Sequence, residues 1–195
     1  MDMPKGDMLD SEVNIDNVRV RLATYSHEYT CGMDAWALRC CQLAMDATDK
    51  GNYGVGALLI SREGDILAEA GNQVFSNGFN SSAHAEMCVI DEFERTYPNY
   101  SSRSGLMLLT SLEPCPMCCT RILAAGIGQV RYLTTDKDGG MMSHCDKLPY
   151  AWKNLSELID IQEVKDLPEL SKLASDIALA NISLLRKKLL GIIRP

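Results

Sequence analysis

Long apolar runs are missing from this sequence: none reaches the ~18 residues that a helix needs to cross a bilayer. A spanning helix is therefore not expected. Aromatic residues are scarce at 6%, which leaves little for the stacked-base platforms of single-strand nucleic-acid binders. Positive charge is in deficit, with 19 Lys and Arg against 26 Asp and Glu, a net charge of −7 at pH 7. That balance disfavours nonspecific contact with a phosphate backbone. The basic cluster that remains is Arg186, Lys187, Lys188 and Arg194. The first residues, MDMPKGDMLDSEVNIDNVRV, lack the basic-then-apolar pattern of a signal or transit peptide. The expected compartment is the cytoplasm. No internal repeat is visible.

What is present is the composition of an ordinary globular protein. The 195 residues are 46% hydrophobic and 23% charged, enough for one domain with a sizeable core. Eight cysteines would suit a disulfide scaffold in a short secreted chain. Here reduced thiols are expected, divided between small buried hydrophobes and metal ligands.

Residues 1–30 carry little periodicity and are expected to form a loosely ordered arm, with His27 an ordinary surface residue. Residues 31–195 are expected to form one domain. MDAWALRCCQLAMDATDKGNYG places Ala37, Cys41, Ala44, Met45 and Thr48 on one helical stripe, ended by Gly51 and Gly54. VGALLIS and ILAEAG read as strands joined by the turn REGD. AHAEMCVIDEFERTY reads as a helix with Ala83, Met87, Ile90 and Phe93 on one stripe, closed by Pro98. LMLLTS is apolar enough for a strand buried on both faces. A short helix follows from Pro116 to Ala125 with Gly126 as its C-cap. QVRYLTT and IDIQEV read as further strands, and residues 136–154 between them as a long irregular segment. From Glu169 to Leu190, the stripe Leu170, Leu173, Ile177, Ala180, Leu184 reads as one long amphipathic helix. Strands alternate with helices. The class is α/β, a single domain with a central mixed sheet of about five strands sandwiched between helices.

The chemistry concentrates in two stretches, SSAHAEMCVI and SLEPCPMCCTRILAAGIG. Cys115 and Cys118 form C-x-x-C, a spacing at which both sulfurs reach one ion. Pro116 suits a first helical turn and extends the backbone of Cys115 before it, so both thiols sit at a helix N-terminus where the dipole favours thiolate. Taken alone, the pair could equally be a redox couple or two buried cysteines. Cys119 reads as core packing. His84 and Glu86, two residues apart, lie ~200° apart around a helix axis. They converge only on something off the helix end, as a metal with His84 as ligand and Glu86 beside it would be. A capping box does not explain Glu86, because the cap position would be Ala83, which has no side-chain acceptor. Three ligands, His84, Cys115 and Cys118, leave a fourth tetrahedral position open, the pattern of a catalytic zinc site. Paired H-x-E and P-C-x-x-C is the signature of zinc deaminases, with the glutamate as general acid and base.

On these residues the sequence resembles the cytidine deaminase-like superfamily, in the branch of guanine deaminases, cytosine deaminases and bacterial tRNA adenosine deaminases. GALLI (56–60), GN (71–72), AHAE (83–86) and LEPCPMC (112–118) carry the likeness, from about Asp34 to Thr135. The resemblance implies a five-stranded sheet between helices, a Zn2+ cofactor and a homodimer. It implies a base-holding role for Asn72, a pocket wall at Gly56 and Ala57, a substrate contact at Ala85, and a structural role for Glu113. The sequence departs from the branch at Asn80-Ser81-Ser82, where relatives often have Asp-Pro-Thr, and at Cys119, Thr120 and Arg121, where small residues are usual. His144 and Cys145 read as a solvent-exposed pair. The expected activity is hydrolytic deamination of a small aminated nucleobase, guanine favoured, with cytosine or a nucleoside possible and Glu86 as catalytic residue. The alternative is a tRNA adenosine deaminase, and nucleic acid is the less expected partner. More remote is a zinc-stabilised binding module without turnover.

Overall fold

The computed structural model describes residues 13–25 and 32–194. Seven helices and five strands are found among them: α1 (Ile15–Thr24), α2 (Met33–Asp49), β1 (Gly56–Ile60), β2 (Ile66–Gly71), α3 (Ala85–Thr96), β3 (Met107–Thr110), α4 (Pro116–Ala125), β4 (Gln129–Tyr132), α5 (Tyr150–Ser156), β5 (Asp160–Glu163), α6 (Pro168–Ala180) and α7 (Ile182–Ile193). The sheet runs β2-β1-β3-β4-β5. β1 pairs antiparallel with β2 and β3, while β3, β4 and β5 run parallel. The expected α/β sandwich around a mixed five-stranded sheet is the fold observed.

Alternation along β1 builds both layers. Ala57 and Leu59 face α3 and α4, joining Val89, Ile90, Phe93 and Ile122 in one core. Leu58 and Ile60 face the other side, joining Ala37, Cys41, Leu170 and Ile177 from α2 and α6. Period-2 side-chain direction makes one strand serve two cores, and each fully buried aliphatic side chain contributes about 2 kcal/mol. The stripe read on α2, Ala37, Cys41, Ala44, Met45 and Thr48, is buried throughout.

Three expectations change. Residues 15–24 are not loosely ordered: Asn14 caps α1 through the Asn17 amide, and Val18 and Leu22 are buried. Much of that order is tertiary, since Arg21 reaches Asp176 on α6 at 3.0 Å and Arg19 reaches Asp49 at 2.6 Å. His27 lies outside the described residues, as does the remainder of the 1–30 segment apart from residues 13–25. The C-terminal stretch is two helices, broken at Asn181 (φ −116°, ψ 8°), and the buried position after the break is Leu185, one residue later than the stripe projects. The segment 136–154 is not wholly irregular, for a 3-10 helix spans Met142–Lys147 and α5 begins at Tyr150. Among the described residues all seven cysteines are free, and no helix is long and apolar enough to cross a membrane.

Candidate active site

Two helix N-termini meet at one end of the sheet. His84 is the N-cap of α3 and Cys115 the N-cap of α4, both with extended backbone, and Pro116 opens α4 as the first helical residue. Gly126 closes α4 in the left-handed region (φ +71°), a conformation that glycine adopts without steric cost. The strand ends are tied beneath them: the Gly56 amide donates to Ser111 Oγ at 3.0 Å and the Ser111 amide to the Gly56 carbonyl at 2.9 Å.

His84 Nδ1 lies 3.6 Å from Cys115 Sγ and 3.6 Å from Cys118 Sγ, and the three ligand atoms sit within 4.8 Å of one another. A tetrahedral zinc bonded to sulfur at ~2.3 Å and to imidazole nitrogen at ~2.05 Å would separate N and S by about 3.5 Å. Both the donor types and their spacing therefore fit Zn2+, and three protein ligands leave one position open to water or substrate. Hydrogen bonding to Cys118 pushes the Cys115 thiol down to about 4, with His84 adding to the effect; the same bond, together with burial, pushes Cys118 up. His84 is raised, chiefly by its hydrogen bond to Cys115. One thiolate is thus preformed at the helix dipole, and cation binding displaces the remaining protons.

Glu86 is the second residue of α3, within its first turn, and is only 4% exposed. Burial is the main cause that raises its pKa. It borders a cavity of about 300 Å³ that also takes in Asn72, His84 and Cys115. Asn72 is buried, and its Oδ1 accepts from the Val74 amide at 3.1 Å, while its amide nitrogen has no protein acceptor among the described residues.

The remaining expected contacts fall elsewhere. The wall beside β1 is Val55, and Gly56, Ala57 and Ala85 do not line the cavity. A Cβ on Gly56 would strike the Cys40 carbonyl and the Ala44 amide of α2, so glycine there permits close helix packing. Ala57 on β1 and Ala85 at the start of α3 are core residues. Cys145 is buried while its neighbour His144 is exposed, so the pair is not solvent-exposed as a unit.

Several site residues went unread in the sequence. Ala178, Ile182 and Leu189 from α6 and α7 line the cavity with Tyr53 and Leu112. Ile182 and Leu189 are seven residues apart, two turns on one helix face, and that spacing was the available signal. Glu113 is buried; it accepts the Ser143 amide at 2.7 Å and the Asp136 amide at 3.1 Å, and so fixes the segment whose Asp136 also borders the cavity. This agrees with a structural role. An adjoining recess of about 490 Å³ shares Leu112, Asp136, Ala178 and Ile182 and is polar beyond them, with Thr134, Thr135, Ser175 and Arg186. A larger recess, about 690 Å³, lies at the opposite end of the sheet around Arg62, Tyr100 and Gln129, away from the ligands.

A mixed five-stranded sheet that presents one histidine and two cysteines from paired helix N-termini, with a buried carboxyl beside them, defines the class of cytidine deaminase-like zinc proteins. Residues 33–134 match the family model described as the cytidine and deoxycytidylate deaminase zinc-binding region, and the chain belongs to that family. A tRNA-specific adenosine deaminase of Bacillus subtilis is 36% identical over 97 residues, which are 50% of this chain and 58% of that protein. A guanine deaminase of the same organism is 30% identical over 112 residues, 57% of this chain and 70% of that protein. Among solved structures, guanine deaminase from Nitrosomonas europaea superposes with a TM-score of 0.60 at 17% identity, covering 84% of this chain and 91% of that one. That last likeness is one of fold.

Proposed function

We propose that the protein is a zinc-dependent hydrolytic deaminase acting on a small aminated nucleobase, with guanine the favoured substrate. The observation that carries this reading is the buried carboxyl of Glu86, beside the three metal-fitting ligands in a cavity roofed by α6 and α7. His84, Cys115 and Cys118 would hold Zn2+, which would supply Lewis acidity to a water at the open position. Glu86 takes a proton from the attacking water and delivers it to the ring nitrogen; it then takes the remaining proton from the added hydroxyl and passes it to the amine as the C–N bond breaks. A carboxyl with its pKa raised by burial suits both the acid and the base half of that shuttle. Asn72 presents its unsatisfied amide to the ring edge. The apolar side chains of Ile182 and Leu189 exclude bulk water. The amine carbon becomes a carbonyl and ammonia leaves. The homodimer belongs to the same reading and is measured by light scattering.

A second reading, editing of adenosine in tRNA, is favoured by the 36% identity to the Bacillus tRNA enzyme and by the polar recess beside the cavity, with Arg186 at its edge. Ammonia release from guanine, cytosine, adenosine and a tRNA anticodon stem-loop, at low and high salt, separates the two. Salt-indifferent turnover of guanine is the expected result. Deamination of the stem-loop alone, falling steeply with salt as counterion release requires, would replace the first reading with the second. No ammonia from any compound would leave a zinc-stabilised binding module.

A further inference from the structure

Seven of the eight cysteines lie among the described residues, and the zinc-binding set uses two of them. Two others, Cys119 and Cys145, meet a methionine in the core behind the site. Cys119 follows the ligand Cys118 on α4 but turns inward, about 100° further around the helix. Met142 and Cys145 come from the 3-10 helix at Met142–Lys147. Cys119 Sγ is 3.7 Å from Cys145 Sγ and 3.9 Å from Met142 Sδ, and Cys145 Sγ is 3.8 Å from Met142 Sδ. The three sulfurs form a nearly equilateral triangle, and all three residues are buried.

From this geometry we infer a second metal site, independent of zinc: a trigonal all-sulfur site for a soft monovalent cation, Cu(I), held by Cys119, Met142 and Cys145. A point at the centre of such a triangle is about 2.2 Å from each sulfur, close to the ~2.3 Å of a metal–thiolate bond. Two thiolates and a thioether are the ligand set that selects Cu(I). A thioether is a poor zinc ligand, and the triangle contains no imidazole or carboxylate. The zinc set, with its histidine, has a different preference, so the two sites sort metals by donor softness. An ion here would tie α4 to the segment that Glu113 already holds through Ser143.

The test uses the full-length, zinc-loaded protein under anaerobic, reducing conditions, with Cu(I) offered as its bicinchoninate complex. The expected result is withdrawal of about one Cu(I) per chain with zinc content unchanged, and a copper X-ray absorption spectrum containing only sulfur neighbours. Cys145→Ser should abolish that withdrawal. Met142→Leu, a volume-conserving core change, should weaken it at least tenfold while the melting temperature stays near that of the parent; this variant keeps the test decisive if Cys145→Ser folds poorly. Three results would each overturn the site: no copper withdrawn, copper taken up in exchange for zinc with a nitrogen neighbour in the spectrum, or uptake unaffected by Met142→Leu. Ammonia release is read separately on the same samples, so failure of the copper site leaves the deaminase reading untouched, and the reverse.

Discussion

At Glu86 burial and use pull in opposite directions. A carboxyl only 4% exposed is costly to ionise, and its pKa is raised mainly for that reason. Glu86→Gln should therefore fold at least as well as the parent and still hold about one zinc per chain, yet lose turnover by on the order of 10²-fold or more. The paired variant Cys115→Ala, Cys118→Ala should lose the zinc. Elemental analysis beside an ammonia assay reads both; near-parental turnover in Glu86→Gln would assign the proton transfers to another group. Glu113 presents the contrasting case, a buried carboxylate fully engaged by the amides of Asp136 and Ser143. Glu113→Ala strands both amides and should cost about 3 kcal/mol in urea unfolding; a change under about 0.5 kcal/mol would mean that the segment needs no such latch. The zinc-site residues were legible because H-x-E and P-C-x-x-C constrain chemistry and backbone together. Gly56 was read for the wrong partner: a small residue on a strand shows that something approaches closely, without showing whether it is a ligand or, as here, α2.

Helix and strand positions followed from punctuation where the sequence carries any. Pro116 and Gly126 bound α4, and the turn REGD separates β1 from β2. The stripes failed where one residue shifts the phase. Asn181 breaks the C-terminal helix, after which Leu185 is buried and Leu184 is 66% exposed. α1 was missed because its 10 residues bury only Val18 and Leu22. A helix so short is held by its tertiary contacts more than by propensity, and those are invisible in local sequence. The Asn181 break matters for the cavity, since it turns Ile182 and Leu189 over the mouth. Leu189→Asp should raise KM for a free base roughly tenfold, a loss of about 1.4 kcal/mol in binding, with kcat less affected. Steady-state kinetics decides it, and an unchanged KM would remove α7 from the roof.

Across the whole molecule, the described N-terminal helix closes on the C-terminal part of the fold. Asp176 on α6 is nearly buried and is met by both Arg21 of α1 and Lys172. Arg21→Ala leaves Asp176 with the exposed lysine alone and should cost about 1–2 kcal/mol by chemical denaturation. A loss below about 0.3 kcal/mol would make the pair incidental. The separation of 155 residues between those partners also has a kinetic meaning. Contacts so distant along the chain close late, because the loop between them must be ordered before they form. Helix α4 ends at Ala125 and α6 begins at Pro168, so on a ribosome emitting ~5–20 residues per second both metal-facing helix ends emerge roughly 2–9 s ahead of α6 and α7. During that interval the ligand thiols are exposed to water and available to any metal carrier, so the order of synthesis itself leaves the site open for loading before its roof arrives.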